Sequence, residues 1–169
     1  AKQFDTSNIF SIYHQNIPSN SIMLGGQYGD DDKNSSSNFS SVGSATFGHQ
    51  TNSISNNANE NHIFYCFKEI AGYSKFGAYE GNGNADGVFL YTGFRPAWLM
   101  IKNVDTDGEN WHMFDNKRAP QNVIKARLIA DGLTHENTND SIMDFTSNGF
   151  KLRDTNAGYN SAVTFVYFA

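Results

Sequence analysis

The stretch "GAYEGNGNADGVFLYTGF", residues 77–94, sets Asn82, Asn84 and Asp86 among Gly77, Gly81, Gly83 and Gly87, just ahead of an apolar run. Such a loop can cradle a phosphate through backbone amides, or offer amides and a carboxylate to the hydroxyls of a sugar. The phosphate reading fails on spacing. Gly81, Gly83 and Gly87 run G-x-G-x-x-x-G, whereas a dinucleotide fingerprint needs G-x-G-x-x-G at the start of a helix. The residues after Gly87, "VFLYTGF", are apolar and β-branched, and no Gly-Lys-Ser/Thr supplies a P-loop. The stretch therefore reads as a turn that uses Asn and Gly to reach positive φ. Its Asn82, Asn84 and Asp86 are candidates for binding a ligand, with Trp111 as a stacking platform.

Two acidic clusters invite a calcium reading. Asp30–Asp32 lie in "GDDDK", where a solvated loop is the simpler account of three repelling carboxylates. Asp105, Asp107 and Asn110 surround Gly108, but the glycine is misplaced for an EF-hand loop and no distant Glu closes it. Flanking strand signals favour a hairpin turn there, and no metal or cofactor is assigned.

Catalytic constellations find no support. His14, His49, His62, His112 and His135 show neither H-x-x-x-H nor H-E-x-x-H spacing, and no Ser lies in G-x-S-x-G. Glu69, Glu80, Glu109 and Glu136 remain as carboxylates that a fold could pair for glycoside hydrolysis, without a motif to single one out. Cys66, the only cysteine, sits in "HIFYCFKEI" and reads as a small buried side chain rather than a nucleophile.

Positioning any of these groups falls to short strands. The 169 residues suit one well-buried domain; charged residues are only 17% and aromatics 14%. Asn, Ser, Gly and Thr fill the polar share, which favours many turns over long helices. A net charge of −5 argues against a nucleic-acid partner, and no window approaches 18 consecutive apolar residues, so no membrane span is expected. Strands are expected at 8–14, 62–70, 87–94, 97–104, 110–115 and 162–168, with two more around Ser147-Asn148-Gly149 in 141–153. Residues 34–61 are mostly Ser and Asn, yet Phe39, Val42, Phe47 and Ile54 recur as anchors, so one or two short strands are expected there. "APQNVIKARLIADG" (119–132) could be a helix or a strand. The fold class is all-β, a β-sandwich of jelly-roll or concanavalin-like type, in a single domain spanning 1–169.

The tryptophans illustrate the alternation this implies. Trp98 shares a strand face with Met100 and Lys102, and Trp111 with Met113 and Asp115. Core packing is the bland role for both and a sugar-stacking surface the functional one. A repeat is also readable: "IFSIYH" to "NWHMFD" and "FYCF" to "FVYF" share an offset of 101 residues. This pairs Phe10 with Trp111 and Phe67 with Phe168, and makes 9–67 and 110–168 half-repeats.

From about Phe64 onward the chain resembles a family of domains in tail-fibre and structural proteins of marine phages, cyanophages among them. "GYSKFGAYEGNGNADG" and "YTGFRPAWLMIK" carry the resemblance most specifically, together with "DFTSNGFKLR" and "VTFVYFA". Residues 1–63 match less distinctively. The resemblance implies a piece of a longer virion appendage protein, extracellular, non-catalytic, and built into an oligomeric fibre, as a trimer for example. Its expected partners are other fibre subunits or a host-surface glycan. A carbohydrate-active enzyme on a similar sandwich is the alternative. The polar loops Gly29–Ser37, Thr51–Asn61 and Glu80–Gly87, rich in Asn, Asp and Ser, predict a neutral, hydroxyl-rich ligand bound with little salt dependence.

Overall fold

Side-chain alternation governs the architecture, because in a strand successive residues face opposite ways and each face must find its own cover. The computed structural model describes residues 2–3, 10–17, 21–24, 33–34, 39–49 and 59–169. Among these residues there is no helix. Strands β1 (Lys2–Gln3), β2 (Phe10–Ile12), β3 (Ser21–Leu24), β4 (Lys33–Asn34), β5 (Phe39–Val42) and β6 (Phe47–His49) come first. Next in the chain are β7 (His62–Ile63), β8 (Phe76–Glu80), β9 (Phe89–Tyr91), β10 (Trp98–Asn103) and β11 (Trp111–Asp115). Last come β12 (Leu128–Ile129), β13 (Met143–Thr146), β14 (Gly149–Leu152) and β15 (Thr164–Phe168).

The principal sheet is antiparallel in the order β12-β11-β10-β15-β8. A second antiparallel sheet, β13-β14-β9, lies across a shared core from it. Leu99, Ile101, Phe114, Phe165, Tyr167 and Tyr79 from the first sheet meet Met143, Phe145, Phe150 and Leu152 from the second. Each such buried side chain contributes about 1.5–3 kcal/mol relative to exposure. The opposite face of the principal sheet is not left to water. Trp111, Val104 and Val166 pack there with Ile17, and Ile12, Met100 and Phe168 close around them. The result is a β-sandwich-like, all-β arrangement whose larger sheet is covered on both sides.

Turn chemistry fixes the hairpins. β10 and β11 pair from Trp98↔Asp115 to Lys102↔Trp111, and Gly108, at φ 80°, takes the positive-φ position in their connection. The Asp105–Asn110 segment is thus a hairpin loop: the Asp105 carboxylate accepts from the Thr164 amide at 2.9 Å. β13 and β14 turn at Ser147-Asn148 as the sequence predicts. Short strands do form in the Ser/Asn-rich stretch, although Val42 and Phe47 stay exposed and Ile54 lies outside the described residues. β5 and β6 pair, and Phe39 contacts Tyr13, Phe47 and His49.

Several expectations are corrected. Residues 119–132 form no helix: they run irregularly through an isolated bridge at Ile124 and end in the short edge strand β12. Polar turns at both ends leave too few residues for a stable helical segment. The strand expected over 62–70 reaches only Ile63, and Phe67 is 74% exposed. Cys66 is exposed, not buried. β8 lies outside the expected strands, because Gly77 disguises it. The Tyr167 ring lies so close over Gly77 that a Cβ there would fall 2.6 Å from it.

The half-repeat is not met at its defining positions. Phe10 belongs to the small β2-β3-β4 sheet, whereas Trp111 is wholly buried in the principal sheet. Phe67 lies outside any strand while Phe168 ends β15. Among the loops of interest, Asp30–Asp32, most of Gly29–Ser37 and most of Thr51–Asn61 lie outside the described residues.

Candidate functional site

The loop from Glu80 to Gly87 is held from behind by one side chain. Asn160, fully buried, accepts from the Asn82 amide through its Oδ1 (3.2 Å) and donates through Nδ2 to the Asn84 carbonyl (2.8 Å) and the Asp154 carbonyl (2.6 Å). Its own carbonyl accepts from the Gly83 amide at 2.6 Å. Within the loop, Asn82 Oδ1 accepts from the Asn84 amide (3.0 Å) and Asn84 Oδ1 from the Asp86 amide (2.9 Å). Gly83 supplies the positive φ of 61°. Glycine is also required at 81, where a Cβ would fall 2.1 Å from the Ser161 carbonyl oxygen. The loop is a turn of fixed shape.

Its outer carboxylate is engaged as well. Lys151 Nζ reaches Asp86 Oδ1 at 2.8 Å and also donates to the Gly87 carbonyl (2.8 Å). The Lys151 hydrogen bond and charge, with Arg153 further off, hold the Asp86 carboxyl below its ordinary range. Asn82, Asn84 and Asp86 are therefore brought together on one exposed loop, with much of their hydrogen-bonding capacity turned inward. Trp111 is not with them. It is 0% exposed, packed with Val104 and Val166 and tilted against Phe168. A ring with no accessible face cannot stack a sugar, so the platform role falls away and the core role stands. The tryptophan at the surface is Trp98, 42% exposed.

A pocket of about 390 Å³ opens elsewhere, at the edge of the principal sheet, within the roughly 300–1,000 Å³ of small-molecule sites. β11 contributes His112, the turn before it Glu109 and Asn110, and β12 with its approach Arg127 and Ile129. Thr134, His135, Asn137 and Asn156 close the rim. His112 pairs in register with Ile101 and Ile129 and so points to the same side as Phe114, opposite Trp111. It is 4% exposed, flanked by Phe114 and by the edge-on Tyr159 ring at 5.5 Å. Gly158 makes the room: a Cβ there would fall 2.1 Å from Nε2. Arg127 is fixed by paired backbone bonds with Asn137 (2.9 and 3.1 Å), and its guanidinium lies over Tyr159, 5.9 Å from the ring centre.

Unmet hydrogen-bonding capacity marks this pocket. Among the described residues, neither ring nitrogen of His112 has a partner, nor does the buried Nε of Arg127. Native interiors leave few such groups unmatched. A family model matches residues 1–169 over their whole length, under the description Domain of unknown function (DUF7483). The chain belongs to that family. No curated protein and no solved structure matches it.

In this member of the family the electrostatics of the pocket are set by burial. Desolvation, aided by the charges of Arg127 and Lys102, lowers the His112 pKa to about 3, so the imidazole is neutral at physiological pH. One ring nitrogen then donates and the other accepts. Lys102 is itself buried and donates to the Glu109 carbonyl. The adjoining Tyr159 hydroxyl donates to Asp154 (2.7 Å), and burial together with that carboxylate pushes its pKa far up. No group of three or more His, Cys, Asp or Glu side chains among the described residues could hold a metal ion.

Sequence reasoning passed over His112, Arg127, Asn137 and Asn156. The readable signal was parity: in "NWHMFD" a histidine alternates with Phe114 on a face that should be apolar throughout.

Proposed function

We propose that this domain is a non-catalytic adhesion module of a phage-like tail fibre or other virion appendage, and that it binds a host-surface glycan. The pocket at the β11–β12 edge carries the reading. It gathers Asn110, Thr134, His135, Asn137 and Asn156 around a buried imidazole with unmatched nitrogens. Amides, hydroxyls and imidazoles are the groups that recognise sugar hydroxyls, and a two-sheet scaffold holds them in place. The resemblance of residues 64–169 to tail-fibre domains supplies the setting: an extracellular virion protein in several copies, with neighbouring fibre subunits as further partners. Each site binds weakly, and several sites on one fibre raise avidity by about 10²–10⁴.

Glycan-array binding by the 169-residue chain and by a trimerised fusion tests this. Binding by the fusion, weakened by His112→Gln, is the expected outcome. A trimer that binds no glycan and no host cell would leave a structural spacer. Polysaccharide cleavage that disappears on Glu109→Gln would replace the adhesion reading with an enzymatic one.

A further inference from the structure

Arg127 stands apart from the other arginines. Arg118 pairs with Asp115 (2.6 Å) and Glu136 (3.0 Å), and Arg153 with Asp144 (2.7 Å) and Asp86 (4.0 Å), while Arg95 is exposed to water. Arg127 is half-buried, has no carboxylate within ion-pair distance among the described residues, and keeps a buried Nε without a partner. In a chain with 17 acidic and 12 basic side chains, that is where a carboxylate from outside would be received. The neighbouring His112 offers one donor and one acceptor.

We infer that the pocket takes a sugar bearing a carboxylate, with Arg127 receiving the acid group and His112 with the asparagine rim receiving the hydroxyls. This rests on the glycan reading and narrows it. It also departs from the neutral ligand that the polar loops predict. A single guanidinium matches a single negative charge. A phosphate monoester carries close to two negative charges and would gather further cations than this one guanidinium supplies. A planar carboxylate suits the fork of the guanidinium, whose face is already held by the Tyr159 ring. The pocket size suits one terminal sugar rather than a stretch of chain.

The test titrates the 169-residue chain with methyl glycosides of glucuronic, galacturonic and N-acetylneuraminic acids, each beside its methyl ester, with amide chemical shifts as the readout. At least one acid should bind about tenfold or more tighter than its ester, because a charge-assisted hydrogen bond is lost on esterification. Arg127→Gln should bring acid and ester to within about twofold, and Arg127→Lys should restore part of the difference. Because the acid-to-ester ratio is read first on the unaltered chain, it does not depend on either variant folding. Esters that bind as tightly as the acids would overturn this inference and leave the glycan reading standing. Absence of binding by every sugar, in the chain and in the trimerised fusion, would overturn both. Acetate or inorganic sulfate binding as tightly as the best acid would overturn the sugar requirement, leaving a simple anion hole.

Discussion

His112 occupies a position where β11 would ordinarily continue the apolar face begun by Phe114, and its burial has a consequence for stability. The folded pKa is about 3 and the ordinary value 6.5, so between these limits the unfolded chain holds a proton that the folded chain lacks. Stability therefore falls as the pH drops from about 6.5 towards 3 and levels off above that window. The slope from this one group is of the order of 1 kcal/mol per pH unit. His14, buried and likewise lowered by desolvation, acts in the same direction. Urea unfolding at pH 4, 5, 6 and 7 should show a shallower slope for His112→Gln than for the natural chain; equal slopes would place the titration elsewhere. Trp111, one of the four candidate site residues and in the sequence more readily a core residue, is one position away on the opposite face. An aromatic ring is conspicuous in a sequence, whereas an unmatched imidazole becomes visible only when its neighbours are known to leave it without a partner.

Among elements, the 80–87 loop and the β13–β14 hairpin show what the sequence made legible and what it hid. Asn-Gly at 82–83 and 148–149 announced both turns, and both form. Nothing local announced Asn160, which lies 78 residues beyond Asn82, holds the loop through three hydrogen bonds and ties it to the Asp154 carbonyl through a fourth. Asn160→Ala should cost at least about 2 kcal/mol, since the Asn82 amide and the Asn84 and Asp154 carbonyls lose their side-chain partner while the backbone bond to Gly83 remains, and the loss is measurable as a lowered urea midpoint. The hairpin is tied to the principal sheet by Phe150, whose ring meets Tyr167 edge-on at 5.4 Å and Tyr79 at 6.4 Å. Phe150→Ala should cost about 3–5 kcal/mol by the same measurement, near the upper range because rigid rings on both sides cannot collapse into the space. The strand expected over 62–70 stops at Ile63 for the converse reason. Its aromatic residues match strand propensity, yet Phe64, Tyr65 and Phe67 are exposed, and propensity without a covering layer does not make a strand.

At the scale of the whole molecule, the all-β class came from composition, because so few charged residues and so many turn-formers leave little for helices. The order of strands did not, since each pairing in the principal sheet depends on partners far apart in the chain. β15 is the last strand described, yet it lies between β10 and β8 with a neighbour on each side. A ribosome delivers the chain in the other order. β8 and β10 emerge early, each with an edge that only β15 satisfies, and 168 − 103 = 65 residues separate the end of β10 from the end of β15. At about 5–20 residues per second, the β10 edge stays open for roughly 3–13 s of synthesis, and the β8 edge for longer. Neighbouring nascent chains on one messenger then carry the same unsatisfied edges side by side, a setting in which strands from different copies can pair before the proper partner arrives.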